Sequence, residues 1–187
     1  MRLTDHVHQI LENSLSAGDT AIDATAGNGH DALKMATLVS SDGRLIAIDL
    51  QDAAIRSTRE RLQAANVVAQ SEFLMGDHAE VLQTLLPMLA DQVSVITFNL
   101  GYLPGSDKSV QTTATATLTA LDAARHLLKP RGLLLVTAYR GHPGGAEEAE
   151  SVAAWMQQRA PEGWTIESKT PTVTGTRLPP ILWIARK

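Results

Sequence analysis

The chain has 187 residues, of which 44% are hydrophobic and 19% charged, proportions that are typical of a globular domain. It contains no cysteine, which excludes disulfides, thiolate metal sites and catalysis by a cysteine nucleophile. Its 16 basic and 20 acidic residues give a net charge of −4, so it lacks the overall basic character that nucleic-acid-binding proteins usually have.

Neither a targeting segment nor a membrane span is indicated by the sequence. Residues 1–16 are amphipathic and carry charges, which is not the pattern of a signal peptide. No apolar run approaches the roughly 20 residues that cross a bilayer. We therefore expect a cytoplasmic protein with no membrane partner, and, because no His, Asp and Glu residues have metal-ligand spacing, no metal.

Hydrophobic periodicity predicts helices that alternate with strands along the whole chain. The predicted helices cover residues 2–16, 30–39, 53–65, 81–89, 112–128 and 146–159. The predicted strands cover residues 20–24, 45–49, 72–75, 93–98, 133–139, 164–169 and 180–186. This alternation is typical of a parallel α/β sheet, and we expect one domain over 1–187 with the N-terminal helix (within 1–17) packed on the sheet.

The turn after the first strand has the pattern Asp-x-x-x-Gly-x-Gly, from Asp23 to Gly29. Gly27 and Gly29 have no Cβ, so a ligand can approach the backbone, and the next helix offers unpaired N–H groups. The third glycine of the dinucleotide-binding pattern is replaced by Ala32, and the turn instead resembles the first motif of class I S-adenosylmethionine (SAM) methyltransferases. A purely structural tight turn is the alternative.

Polar side chains follow the predicted strands at the edge where open α/β sheets bind ligands. Asp49 can accept hydrogen bonds from ribose hydroxyls, with Gln51 beside it, or can cap the next helix. Asp77 can accept a hydrogen bond from an adenine amino group or cap a helix. His78 can line the adenine pocket or lie exposed in the first helical turn.

Two loops at the same predicted edge carry the candidate substrate residues. The side-chain carbonyl of Asn99 can accept a hydrogen bond from an amine that is being methylated, and Tyr102 can stack on an unpaired base. A surface loop with a core tyrosine is the alternative. In the second loop, His142 can accept a proton from an ammonium substrate, contact a phosphate or cap a helix.

Four stretches together resemble one family: DATAGNGHD (23–31), DLQ (49–51), NLGYLPGSDK (99–108) and GHPGG (141–145). It is the family of small SAM-dependent methyltransferases long labelled rRNA methylases. Its members are understood as tRNA methyltransferases that convert 5-aminomethyl-(2-thio)uridine at the wobble position to the 5-methylaminomethyl form. The resemblance implies a Rossmann-like class I fold, with a seven-stranded, mostly parallel sheet, an antiparallel last strand and helices on both faces.

The resemblance also implies a set of cofactor and substrate contacts. The residues expected to hold SAM are Asp23, Ala26, Gly27, Asn28, Gly29, Asp31, Asp49, Leu50, Gln51, Asp77 and His78. From the placement of the two loops, and not from the resemblance, Asn99 and Tyr102 are expected to position the amine, and His142 or Asp107 to remove its proton. Further substrate contacts are expected from Leu103, Pro104, Lys108, Tyr139 and Arg140.

Methyl transfer from a sulfonium to an amine is a direct displacement, which needs alignment but neither a covalent nucleophile nor a metal. The expected partner is the anticodon region of tRNA, and a homodimer would let an acidic chain present a composite basic groove. Two other classes stay open from the sequence. One is an rRNA or small-molecule methyltransferase, and the other is a nucleotide-binding or NAD-dependent module without methyl transfer.

Overall fold

The computed structural model describes residues 2–101, 112–171 and 178–187. The strands are β1 (Thr20–Asp23), β2 (Arg44–Asp49), β3 (Gln70–Met75), β4 (Val93–Leu100), β5 (Leu128–Ala138), β6 (Thr165–Lys169) and β7 (Ile181–Arg186). The helices within the described ranges are α1 (Leu3–Glu12), α2 (His30–Val39), α3 (Asp52–Ala64), α4 (His78–Leu89), α5 (Ala114–Leu127) and α6 (Gly145–Arg159), with a short 3₁₀ turn after α6.

The strands form one seven-stranded sheet in the order β3-β2-β1-β4-β5-β7-β6. β1 pairs with β2 and β4 in parallel, and β2–β3 and β4–β5 are parallel too. β7 runs against both of its neighbours, since it pairs antiparallel with β5 and β6. This topology confirms the predicted class I methyltransferase sheet, and its strand order reverses between β1 and β4, where ligands of such sheets bind.

Alternate residues of each strand face opposite helical layers, as the period of a strand requires. Ile22, Ile46 and Ile96 pack against α4, α5 and α6. Their sequence neighbours, among them Leu45 and Val95, pack against α1, α2 and α3. The apolar bodies of the central strands are therefore buried on both faces, which leaves the strand ends as the places for polar chemistry.

The N-terminal helix lies on the same face of the sheet as α2. Val7 and Leu11 are its buried residues, and they pack into the core that α2 and α3 share. An ion pair between Glu12 and Lys34 also joins α1 to α2. α1 is therefore fixed along α2, and the first turn of α2 lies at the edge of the sheet where the parallel strands end.

Several element boundaries differ from the prediction, among them those of β4, β5 and α1. β4 continues through Asn99 to Leu100, so Asn99 is a strand residue and not the first residue of a loop. β5 begins at Leu128, where a turn was predicted at 129–132, because the strand continues through an irregularity with Arg131 at a φ of 65°. α1 ends at Glu12, before the predicted residue 16, and its next residues form turns.

Candidate active site

The turn between β1 and α2 is built from glycines in the left-handed region and is held by α3. Gly27 has a φ of 54° and Gly29, the N-cap of α2, has a φ of 76°. A Cβ on Gly29 would lie 2.8 Å from the Thr58 Cα on α3. This contact is a steric clash, so any other residue at position 29 would require the backbone to shift. The Arg61 Nε donates to the Asn28 carbonyl oxygen at 2.6 Å. The turn is thus rigid before any ligand binds.

Asp49 joins the end of β2 to this turn. Its Oδ2 accepts a hydrogen bond from the Gly27 N–H at 2.9 Å, and its Oδ1 accepts one from the Gln51 N–H at 2.9 Å. Gln51 is the N-cap of α3, and its own side chain makes no capping bond. Each carboxylate oxygen keeps a second lone pair, so Asp49 can accept from a ribose while it holds the turn.

Two large apolar side chains lie exposed beside Asp49. Leu50 is 55% exposed and Met75, the register partner of Asp49 on β3, is 63% exposed. Exposed apolar groups beside hydrogen-bonding ones are typical of a ligand site. A flat ring such as adenine would cover them while the ribose reached the carboxylate, so the residues present here fit an adenosyl group.

Asp77 caps α4, because its Oδ1 accepts the Ala79 N–H at 2.7 Å. The capping alternative is therefore confirmed for Asp77, and its contact with adenine stays a prediction. His78 is 8% exposed and stacks edge-on against Phe98, with ring centroids 5.7 Å apart. The alternative of an exposed His78 is wrong, and burial lowers the pKa of its imidazole, which keeps the ring neutral.

Asp23 at the end of β1 is a buried acid, 1% exposed. Its Oδ1 accepts bonds from the Thr25 N–H and the Thr97 hydroxyl, each at 3.3 Å, and its Oδ2 has no partner in the described part of the chain. Burial, together with the charge of Asp31, raises the pKa of Asp23 to about 8. Asp23 therefore carries its proton at neutral pH.

Asp31, in the first turn of α2, lies at the meeting point of three elements. Its Oδ2 accepts a hydrogen bond from the Asn99 Nδ2 at 2.8 Å, and its Oδ1 lies 2.9 Å from the Nε2 of His8 on α1. The Asn99 N–H also donates to the Thr25 Oγ1 at 2.6 Å. The predicted cofactor turn and the predicted substrate residue are thus in direct contact across the β1–β4 switch point.

The second loop meets the end of β4. A Cβ on Gly101 would lie 3.4 Å from the His142 Nε2, so the imidazole lies against the end of β4, as the predicted adjacency of the two loops requires. The Arg140 Nε donates to the Pro179 carbonyl oxygen at 2.8 Å. Tyr139 is 44% exposed at the same edge, and burial together with the charge of Asp31 raises the pKa of its phenol.

Five of the predicted substrate or catalytic residues lie outside the described residues: Tyr102, Leu103, Pro104, Asp107 and Lys108. The two residues that flank them are joined directly. The Gly101 N–H donates to the Thr112 Oγ1 and the Thr112 N–H donates to the Gly101 carbonyl oxygen, both at 2.9 Å. The Thr112 hydroxyl then donates to the buried Glu148 on α6 at 2.8 Å.

Sequence reasoning did not identify His8, Thr25 or Glu148 as parts of this edge. His8 lies on α1 and contacts Asp31 on α2, an arrangement that depends on how the two helices pack. Glu148 has a recognisable signal, an acid beside the buried Ala149 on the apolar face of α6. A buried acid of this kind needs donors, and Thr112 and Thr117 supply them.

The described ranges contain neither a group of metal-ligating residues nor a membrane-spanning helix. No three His, Asp or Glu residues placed there could hold a metal ion together. Of the helices described, none is long and apolar enough to cross a membrane.

Known proteins resemble this chain over most of its length. A family model described as putative rRNA methylase matches residues 45–186. A chloroplastic tRNA (mnm5s2U34)-methyltransferase of Arabidopsis thaliana is 41% identical over 82% of this chain, which spans 58% of that protein's length.

Two solved structures match the whole fold. The putative rRNA-methylase of Clostridium thermocellum superposes with a TM-score of 0.88 at 30% identity, over 100% of this chain and 97% of the other. A putative methyltransferase of Streptococcus mutans in complex with SAH superposes with a TM-score of 0.83 at 26% identity, over 100% of this chain and 99% of the other.

Proposed function

We propose that this chain, which belongs to the putative rRNA methylase family, methylates the 5-aminomethyl nitrogen of wobble (2-thio)uridine in tRNA. The chain is a SAM-dependent methyltransferase with a class I fold, so the proposal concerns its substrate. The 41% identical plant relative, whose name specifies a tRNA wobble uridine, supports tRNA over other substrates. The proposed product is 5-methylaminomethyl-(2-thio)uridine.

One observation in the structure carries the proposal, the contact between Asn99 and Asp31. The Asn99 side chain lies at the end of β4, and its Nδ2 donates to Asp31 on the first turn of the helix that follows the glycine turn. An amide at this position offers its carbonyl oxygen to a donor that approaches from the substrate side. An amine nucleophile is such a donor, and a carbon nucleophile is not.

In the proposed mechanism, bound SAM supplies an electrophilic methyl group on its sulfonium sulfur. The glycine turn and Asp49 would hold the adenosyl group, while the Asn99 oxygen would accept one amine hydrogen and so direct the nitrogen lone pair. Transfer of the methyl group to the nitrogen would release the demethylated cofactor and leave a methylated ammonium, whose extra proton an acceptor in the site would take. Alignment of this kind accounts for about 7–11 kcal/mol of barrier reduction in favourable cases.

The proton acceptor is restricted by the electrostatics of the site. Asp23 already carries a proton at neutral pH, because its pKa is raised to about 8, so it is a poor acceptor there. We assign the role to His142, whose imidazole lies against Gly101 at the end of β4, or to Asp107. Tyr139, exposed at the same edge, offers a ring on which the uridine can stack.

The decisive experiment is methyl transfer from labelled SAM into tRNA isolated from cells that lack this protein, followed by nucleoside mass spectrometry. We expect 5-aminomethyl-2-thiouridine to gain one methyl group. Label that enters ribosomal RNA or a small amine, and no tRNA nucleoside, would contradict the tRNA assignment and leave the methyltransferase assignment intact.

The Asn99→Ala variant tests the residue that carries the proposal. We expect kcat to fall about 10- to 100-fold, the effect of losing one hydrogen bond made in the transition state. SAM affinity, measured by calorimetry, should change less than kcat, because the glycine turn and Asp49 are untouched and only Asp31 loses a hydrogen-bond partner. Full turnover by Asn99→Ala would remove Asn99 from the mechanism.

A further inference from the structure

We propose that His8 on α1 is a positioning residue, which acts through Asp31 to fix the orientation of the Asn99 side-chain amide. The consequence for catalysis, that the Asn99 carbonyl oxygen faces the amine, rests on the proposed function. The orientation itself is a property of this chain and can be measured without a substrate. Through the contact between His8 and Asp31, the N-terminal helix becomes part of the proposed active site.

The chemistry of a carboxylate fixes the direction of both hydrogen bonds at Asp31. An ionised carboxylate accepts and does not donate, so each of its two partners must supply a hydrogen. Asn99 therefore turns its NH₂ group, and not its oxygen, toward Asp31 at 2.8 Å. The opposite flip of the amide would set two acceptors against each other. The Asn99 oxygen is consequently the end that faces away from Asp31.

His8 is what holds the plane of that carboxylate. A carboxylate with one partner can rotate about its terminal torsion, which is broad and roughly two-fold. The His8 Nε2, 2.9 Å from Oδ1, gives it a second fixed point, so that Oδ2 stays directed at Asn99. By the same argument Nε2 carries the hydrogen and the other ring nitrogen does not need one.

The scaffold around this chain of contacts is rigid at both ends. Val7 and Leu11, buried on either side of His8 along α1, anchor it to the core under α2. The Asn99 backbone is held in β4 and by the Thr25 hydroxyl at 2.6 Å. The Asp31 side chain is only 12% exposed and that of His8 29% exposed, so water competes weakly for these bonds.

A merely structural role for His8, as a bond that fastens α1 to α2, makes different predictions. It would lower stability when removed and would leave the Asn99 amide unchanged. A positioning role changes the amide and kcat while the fold and SAM binding stay as they were. His8→Gln should retain much of the effect because its amide can still donate to Asp31, whereas His8→Ala cannot.

The experiment is NMR of the full chain with S-adenosylhomocysteine bound, reading the side-chain NH₂ signals of Asn99. In His8→Ala we expect these signals to shift and their hydrogens to exchange at least about tenfold faster. The matched control is His6→Gln, on the same helix but in contact with Lys169 and not with Asp31. It should leave the Asn99 signals unchanged.

Turnover is the second readout. We expect His8→Ala to lower kcat about 10- to 100-fold with the SAM dissociation constant within about twofold, and His8→Gln to recover most of the loss. Unchanged Asn99 signals in His8→Ala would overturn the proposal whatever the substrate is. If those signals change but the wild type methylates no tRNA nucleoside, the proposed function fails and the orientation by His8 stands.

Discussion

At the scale of single residues, the active-site edge gathers acids that would repel one another if all were charged. Asp23, Asp31 and Asp49 lie close enough for the charges of the last two to raise the pKa of the first. Asp31 and Asp49 each accept two hydrogen bonds, while Asp23 is buried and keeps its proton. The repulsion among the three acids is reduced because one carboxyl group is neutral and the other two are hydrogen-bonded.

Protonation of Asp23 predicts how stability depends on pH. The folded pKa of about 8 lies above the ordinary value of 3.8, so between these pH values the folded chain holds a proton that the unfolded chain has released. Stability should therefore fall as pH rises through this window, by up to about 1.4 kcal/mol per pH unit. Asp23→Asn cannot titrate and should lack this decline.

Urea denaturation at a series of pH values measures the difference between variant and wild type. The exposed Asp42→Asn serves as the control, because removal of a solvated carboxylate should leave the pH dependence as it is. Parallel pH profiles for Asp23→Asn and the wild type would show that Asp23 titrates normally in the folded chain.

At the scale of elements, the glycine turn is shaped by its contact with α3. Gly29 and Gly163 both have a left-handed φ, of 76° and 94°, but only Gly29 has a neighbour in the way of a side chain. A Cβ on Gly163 would meet nothing within 4 Å. The two positions therefore separate the cost of backbone conformation from the cost of a clash.

The Gly29→Ala variant should be less stable than Gly163→Ala. In each variant, an alanine in the left-handed region lowers the free energy of unfolding by roughly 1 kcal/mol. Gly29→Ala should lose about 1–3 kcal/mol more, because its Cβ meets the Thr58 backbone. Urea unfolding gives both free energies, and affinity for S-adenosylhomocysteine should fall only in Gly29→Ala. Equal losses of stability would mean that α3 does not constrain the turn.

The elements themselves could be predicted because their signals are local. Apolar periodicity located each helix and strand that the structure describes, and the family resemblance implied the antiparallel last strand. The start of β5 could not be predicted, because Pro130, Arg131 and Gly132 have the composition of a turn. The strand continues across them because Leu128 and Leu133 pair with β4 and Lys187 bonds to Arg131 and Gly132. Pairing is a long-range interaction, which composition does not record.

The candidate site could also be predicted only in part. Asp49 and Asn99 could be identified because strand ends converge at one edge of a parallel sheet. The contact from His8 could not, since it depends on how α1 lies across α2, and the spacing between two helices in sequence does not determine their crossing. The protonation of Asp23 depends on burial and on neighbours brought together by three elements.

At the scale of the whole molecule, both helical layers share one sheet. The residues of β1, β2, β4 and β5 contribute alternately to the core under α1–α3 and to the core under α4–α6. Loss of either layer would expose one apolar face of the same strands. We therefore propose that residues 1–187 fold as a single domain.

A single domain predicts one cooperative unfolding transition. Trp155 and Trp164, in edge-on contact with centroids 6.2 Å apart, report on the α4–α6 layer by fluorescence, while far-UV circular dichroism reports on all helices. The two signals should give the same urea midpoint. A circular dichroism transition that precedes the fluorescence change would show that the α1–α3 layer unfolds by itself.

The hydrogen bonds between Gly101 and Thr112 bear on how far the sequence between these two residues can vary. Two hydrogen bonds join Gly101 to Thr112, and the buried Glu148 accepts a third from the Thr112 hydroxyl. The entropy cost of closing a segment grows only slowly with its length. Insertions between these two anchors should therefore cost the core little stability, so the sequence there can change while the rest of the chain preserves the fold.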